Sequence, residues 1–316
     1  MSQLTRLENM IVSAKSLKAA DKQSILKKVV AEAKKRYGAS LPKQAWPTFE
    51  TLLFAVLVED VTHEQAERAY TRMTETFFDL NEIRVSSVTE IEQSLGEIDD
   101  ASWKAMRVRE ALQHTFEKHY AYDLEQLRRK TQDQAQKELE EIPHQTPFIR
   151  SYTLQQALGS HVLPIDQTMH AVLVWLGFGD ADSTPESAAD DLKSAVKKAD
   201  APLVCHLLKC LATDPELKEH FAEFDPSDEE LDPHQAGKRL AELFKNPKKK
   251  SKTAQSSKKT IEAKSSKKVS KKRPTKKKTS RPSTSGHSSK PSDSKNKVSK
   301  KVTKKKPTKK KTARKS

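Results

Sequence analysis

The chain has 316 residues, 32% of them charged and 34% hydrophobic, with a net charge of +16 and two cysteines. Its most apolar run, Leu52 to Val58, is far below the roughly 18–20 residues of a membrane span, and Met1 to Asp21 mixes charges into its apolar positions without a signal-peptide core, so no membrane partner is expected and a reducing compartment is. In that setting Cys205 and Cys210 read as buried free thiols rather than as a disulfide.

Residues 1–44 read as an N-terminal helical extension and residues 45–245 as one helical body. Leu52, Leu53, Val56 and Leu57 follow helical spacing. Thr62 with Gln65 spells a capping box opening a helix to about Phe78, and Ser87 with Glu90 opens another. Asp100 begins a long amphipathic helix through Trp103, Met106, Val108, Leu112 and Phe116. Asp123 and Thr131 stand as N-caps of two shorter helices, the second ending at Ile142-Pro143. Thr146-Pro147 then opens a helix to about Leu158, with Gly159 as its stop. After the extended piece Val162-Leu163-Pro164-Ile165, Asp166 heads a helix to Leu176. Pro185 and Asp200-Ala201-Pro202 introduce two more before the body fades near Phe244. No period-two alternation survives, so the expected fold is all-α, roughly ten short helices with brief connections.

Ile142-Pro143, a hairpin-sized gap, a helix ending in Ala157-Leu158-Gly159, and Pro164-Ile165-Asp166 at the head of the next helix together resemble the helix-hairpin-helix base-excision DNA glycosylases of the endonuclease III superfamily. Glu50 to Leu57 is similar to that family's early buried helix, and Trp103-Lys104-Ala105 to Leu112 resembles the helix before its hairpin. The resemblance spans about residues 45–215 and implies a two-lobed endonuclease III-like fold. It also implies that a nucleotide is extruded from DNA and that Asp166 is the catalytic carboxylate, which stabilises the cationic sugar or activates the attacking water. Asp166 reads as an N-cap as well, and the two roles are compatible. His170, one turn further on, reads as a group approaching Asp166 or as a polar residue of the core or cleft.

Three departures shape the implied activity. Counting without gaps from Ile142 puts Phe148 where bifunctional members carry the Schiff-base lysine, and Lys137 lies too early to replace it, so the implied enzyme is a monofunctional glycosylase without lyase activity. The hairpin glycines are replaced by His144, Gln145 and Thr146. These are the hairpin's candidate DNA-binding residues, through side chains or the helix start; the alternative is a plain helix-helix turn. The family's four closely spaced cluster cysteines are reduced to Cys205 and Cys210, so neither an iron–sulfur cluster nor any other metal or cofactor is expected. His206 diverges from its neighbour Cys205 on a helix and does not restore a metal site. Glu59, Asp60 and His63 fall near the loop where the family inserts a wedge side chain into DNA, and an acidic pair there is expected to repel phosphate.

The end of the chain differs entirely. From Asn246 to Ser316, 29 Lys and Arg face only Glu262 and Asp293, a net +27, which leaves residues 1–245 near −11. KKVSKKRPTKKKTSR at 267–281 returns as KKVTKKKPTKKKTAR at 300–314. With every Phe, Trp and Tyr confined to the acidic body, the tail is expected to be disordered in isolation. Its candidate phosphate contacts are Lys267, Lys268, Lys271, Lys272, Arg273, Lys276, Lys277 and Lys278 in the first copy. In the second they are Lys304, Lys305, Lys306, Lys309, Lys310 and Lys311. The tail resembles those of linker histones, which neutralise phosphates without reading bases.

Two functions follow as expectations: a base-excision-repair DNA glycosylase held on DNA by its tail, or a catalytically inactive glycosylase fold acting as an architectural, nucleoid-type DNA-binding protein. Either is expected in the cytoplasm on the nucleoid, or in a nucleus if the cell has one.

Overall fold

A computed structural model of the chain describes residues 17–42, 46–224 and 231–247. The repeated tail, with Lys267 to Lys278 and Lys304 to Lys311, lies outside the described residues. In chain order the helices are α1 (Ala19–Tyr37), α2 (Thr48–Val58), α3 (His63–Thr76), α4 (Leu80–Val85), α5 (Val88–Leu95), α6 (Ala101–His119), α7 (Gln132–Glu140), α8 (Pro147–Gln156), α9 (Gln167–Leu176), α10 (Pro185–Lys193), α11 (Ala201–Thr213), α12 (Lys218–Ala222) and α13 (Ala236–Lys245). Among the described residues there is no strand.

The helices sort into two lobes. In the first, α2 is the axis, and every one of its residues except Glu50 is buried. A helix apolar on all sides needs neighbours on all sides, and α3, α6 and α8 supply them. Around these, α5 packs on α3 and α6, α4 on α6, and α7 on α8. In the second lobe α9 packs against α10, α11 and α12, while α1 lies against α11 and α13. The segment before residue 45 thus supplies Ile25, Leu26, Val29 and Ala33 to the core. The chain crosses between lobes twice, from α1 to α2 and from α8 to α9. No described helix is long and apolar enough to cross a membrane.

Local chemistry sets the ends of most helices. Thr62 with Gln65, Ser87 with Glu90 and Thr131 with Gln134 form reciprocal capping boxes, each satisfying two otherwise orphaned N–H groups. Thr146 and Asp166 accept from the N–H groups of Ile149 and Met169, and Gly159 takes the left-handed φ of +64° after α8. Asp100 stands directly before α6 as expected, with a left-handed φ of 56° and no side-chain cap. One expected cap differs: Asp123 accepts from Glu125 N–H and starts only a 3-10 turn, Glu125–Arg129.

The end of α1 is fastened to the end of α11 by one carboxylate. Asp214 Oδ2 accepts from Arg36 Nε at 2.9 Å and from the Tyr37 hydroxyl at 2.6 Å, while Glu216 takes another arm of Arg36 at the surface. Asp214→Ala leaves the Tyr37 hydroxyl without its acceptor and is expected to lower stability by about 2–3 kcal/mol. Glu216→Ala, at an exposed rim, is expected to change it by less than about 1 kcal/mol. Urea titrations of the two variants beside the parent check the difference.

Candidate active site

The two lobes meet at the start of α9. Asp166 is only 3% exposed, and each of its carboxylate oxygens has two partners. Oδ1 accepts from Thr168 Oγ1 at 2.8 Å and Met169 N–H at 2.9 Å. Oδ2 accepts from Asp60 N–H at 3.0 Å and from the Lys209 ammonium, which comes from α11. Burial alone would push this carboxyl up, but the Lys209 charge and hydrogen bond, with the two backbone N–H groups, hold it below the ordinary aspartate value.

Asp60 returns the contact. Its Oδ1 accepts from Thr168 N–H at 3.1 Å, so the loop after α2 and the first turn of α9 exchange hydrogen bonds across the lobe boundary. Asp60 has a left-handed φ of 58°, a region where Asp is among the commoner non-glycine residues. Burial, and then the neighbouring Asp166 charge, raise its carboxyl to about 6.

Glu59 is likewise turned inward. Its backbone carbonyl accepts from Lys104 Nζ at 2.7 Å, and its carboxylate takes Arg107 at 2.6 Å and the Thr146 hydroxyl at 2.5 Å. The expected phosphate-repelling pair is therefore absorbed by α6, the hairpin and α9. Lys104, buried there, is lowered by that burial, with Glu59 and Asp60 opposing.

The hairpin residues have separate fates. His144 is exposed and takes φ 60°, standing where a glycine is at ease. Gln145 is buried, with its amide donating to Pro143 O at 3.3 Å and its backbone carbonyl accepting from Arg150. Thr146 is spent on capping α8 and on Glu59. The His170 ring, 3% exposed, meets Ser183 Oγ at 3.0 Å rather than the Asp166 carboxylate.

Beside Asp166 a recess opens between the lobes, bordered by Val58, His63, Phe148, Tyr152, Gln155, Pro164, Met169, Cys205, His206 and Lys209 among others. It is largely aromatic and apolar with a few polar groups, the usual make-up of a small-molecule site. Burial lowers both His63, with Glu67 opposing, and His206, which favours the neutral rings. Phe148 stands at the recess wall with its ring centroid 5.3 Å from Lys209 Nζ.

Sequence reasoning missed Lys209. The available signal was a lysine one turn after Cys205, on the buried stripe of an otherwise apolar helix, which calls for a carboxylate from elsewhere in the chain.

An iron–sulfur cluster of the superfamily's type does not fit these residues, since it takes four thiolates and the chain has two cysteines. Cys205 is buried with its thiol pushed up to about 12, and Cys210 faces His206 Nε2 at 3.6 Å. Among the described residues no group of three or more His, Cys, Asp and Glu could hold a metal ion.

No family model matches the chain, and no curated protein matches it. Among solved structures it is similar to endonuclease III in a non-covalent complex with DNA, with 18% identity, a TM-score of 0.51, and coverage of 70% of this chain and 98% of that one. It is also similar to endonuclease III trapped as a covalent intermediate with DNA, at 17% identity, TM-score 0.48, and coverage of 60% and 85%. The 3-methyladenine DNA glycosylase of H. pylori bound to 1,N6-ethenoadenine is similar at 15% identity, TM-score 0.47, and coverage of 66% and 99%. With the first of these matched over almost its whole length, the two-lobed helical body described above has the fold of endonuclease III.

Proposed function

We infer that the chain is a base-excision DNA glycosylase that hydrolyses the N-glycosidic bond of a damaged or mismatched base. The observation that carries this reading is a buried carboxylate, Asp166, kept ionised directly behind an aromatic recess at the lobe boundary. An extruded nucleotide would place its base among Phe148, Tyr152, His63 and His206 and its C1′ toward Asp166. As the bond breaks, positive charge grows on the sugar, and a fixed anion stabilises it with no reorganisation at the moment of reaction. Water then completes the displacement at C1′.

Phe148 occupies the position of the bifunctional members' lysine, so base release is assigned to hydrolysis without lyase chemistry, and no cofactor enters the reaction. DNA is the partner. The tail supplies sequence-independent affinity through counterion release, and the protein works where DNA lies, on a nucleoid or in a nucleus.

A second reading has its own observation. All four hydrogen-bonding positions of the Asp166 carboxylate are taken, as in a purely structural tie, and the body is acidic. On this reading the fold supplies shape and the tail supplies binding.

Single-turnover incubation of the full chain with duplexes carrying uracil, oxidised, alkylated or mismatched bases separates the two. Alkali-dependent strand cleavage on at least one substrate is the expected result. Binding with no base released from any substrate would establish the architectural reading instead. In either case removal of residues 246–316 is expected to flatten the salt dependence. The full chain should lose about 10³-fold or more in affinity between ~50 and ~200 mM salt, and the shortened chain much less, as fluorescence anisotropy on undamaged duplex would show.

A further inference from the structure

Lys209 and Asp166 form a buried pair of opposite charges whose two members do not face the same space. Asp166 lies behind the start of α9, with its carboxylate fully bonded. Lys209 borders the recess and is itself 7% exposed. Its ammonium has three N–H donors. One goes to Asp166, and the Phe148 ring lies beside the head group. The remaining donor capacity sits at the recess wall, among imidazoles, amides and aromatic rings, with no carboxylate among the residues that line the recess.

Heterolysis of an N-glycosidic bond creates two charges. The sugar becomes cationic, and the bond electrons leave with the base. When the base is a lactam, that charge is delocalised onto a ring carbonyl oxygen. An anion behind the sugar and an ammonium beside the base match this pair of charges, each on its own side. A base already cationic through ring-nitrogen alkylation develops no anion on leaving, and the ammonium opposes its entry.

We propose that Lys209 donates to a carbonyl oxygen of the extruded base and stabilises its departure, so that the recess takes lactam bases such as uracil-type pyrimidinediones and oxopurines and rejects cationic N-alkylpurines. The inference rests on the glycosylase reading above and deepens it to a substrate class. The step balances: water gives hydroxide to C1′, and its proton goes to the departing base anion, yielding the free neutral base and the abasic site. No oxidant or co-reactant is needed.

The test is single-turnover base release by the full-length protein on otherwise identical duplexes carrying uracil, a hydroxylated uracil, 8-oxoguanine, N7-methylguanine or N3-methyladenine. The expected result is release of at least one lactam base about 10²-fold faster than either alkylated purine. Lys209→Met is expected to slow that lactam base by about 10²–10³-fold and to narrow the preference, while Lys209→Arg, which keeps a charged donor, retains the preference. Circular dichroism confirms that each variant is folded. Preferred release of the alkylated purines by the parent protein would overturn the proposal and leave the glycosylase reading standing. An unchanged preference in folded Lys209→Met would do the same. No release from any of the five duplexes would overturn this proposal, and the glycosylase reading falls with it only if mismatched duplexes are also left intact.

Discussion

Lys209→Ala is expected to destabilise the protein by about 3–5 kcal/mol, because it leaves a buried carboxylate without its counter-charge. Asp166 is 3% exposed and held by the loop after α2 and the first turn of α9, so water can replace little of the lost counter-charge. The loss should also carry a pH signature. In the parent protein the folded-state value of Asp166 lies below the ordinary one. Its ionised form therefore contributes stability that is present above the unfolded aspartate value, about 4, and fades as pH falls through the folded value. Without Lys209 the burial dominates and the folded value rises, so this group's contribution turns unfavourable as pH climbs past about 4. The stability difference between parent and variant should accordingly widen from pH 4 to pH 7 in urea titrations. A difference that stays flat across that range would mean that Lys209 does not govern Asp166. Combining Asp166→Asn with Lys209→Met should recover about 2 kcal/mol, since removing both charges is far less harmful than removing one.

Asp166→Asn in the full chain is expected to reduce base release by about 10³-fold while leaving binding to undamaged duplex within about twofold. Asparagine is as good an N-cap as aspartate, and its carbonyl oxygen can still accept from Met169 N–H, so α9 keeps its start. The orphaned ammonium is less harmful than an orphaned carboxylate, because Lys209 borders the recess and can turn its head group toward water there. On the glycosylase reading, what is lost is the fixed negative charge opposite the sugar. Single-turnover rates on the best substrate, read beside duplex affinity, separate a catalytic Asp166 from a structural one. Equal loss of binding and release would place the residue in the fold alone.

The parts of this fold that sequence made legible are those set by neighbours within one turn. Thr62, Ser87 and Thr131 declare their helices because box partners lie three positions on. Asp166 was recognisable from Pro164-Ile165 before it and the apolar helix after it. The features that stayed hidden are set by contacts between distant segments. Glu59 was expected to face DNA and repel phosphate, yet its partners Lys104, Arg107 and Thr146 lie 45, 48 and 87 positions away. They turn it inward by supplying the donors a buried carboxylate needs. Lys209 is 43 positions from Asp166, and along α11 it breaks the apolar pattern without any local acid to explain it. His170 shared a helical face with Asp166 on paper, but the chain after α9 brings Ser183 to its ring first.

The exchange between Asp60 and Asp166 has a mechanical side. The carboxylate is fixed by one lobe through Met169 and Thr168 and by the other through Asp60 N–H, while Thr168 N–H is spent in return on Asp60. Rotation of one lobe against the other therefore breaks bonds to both aspartates at once and alters the proton affinity of each. Relative motion of the lobes and proton binding at their boundary therefore become one coupled event, each altering the free energy of the other.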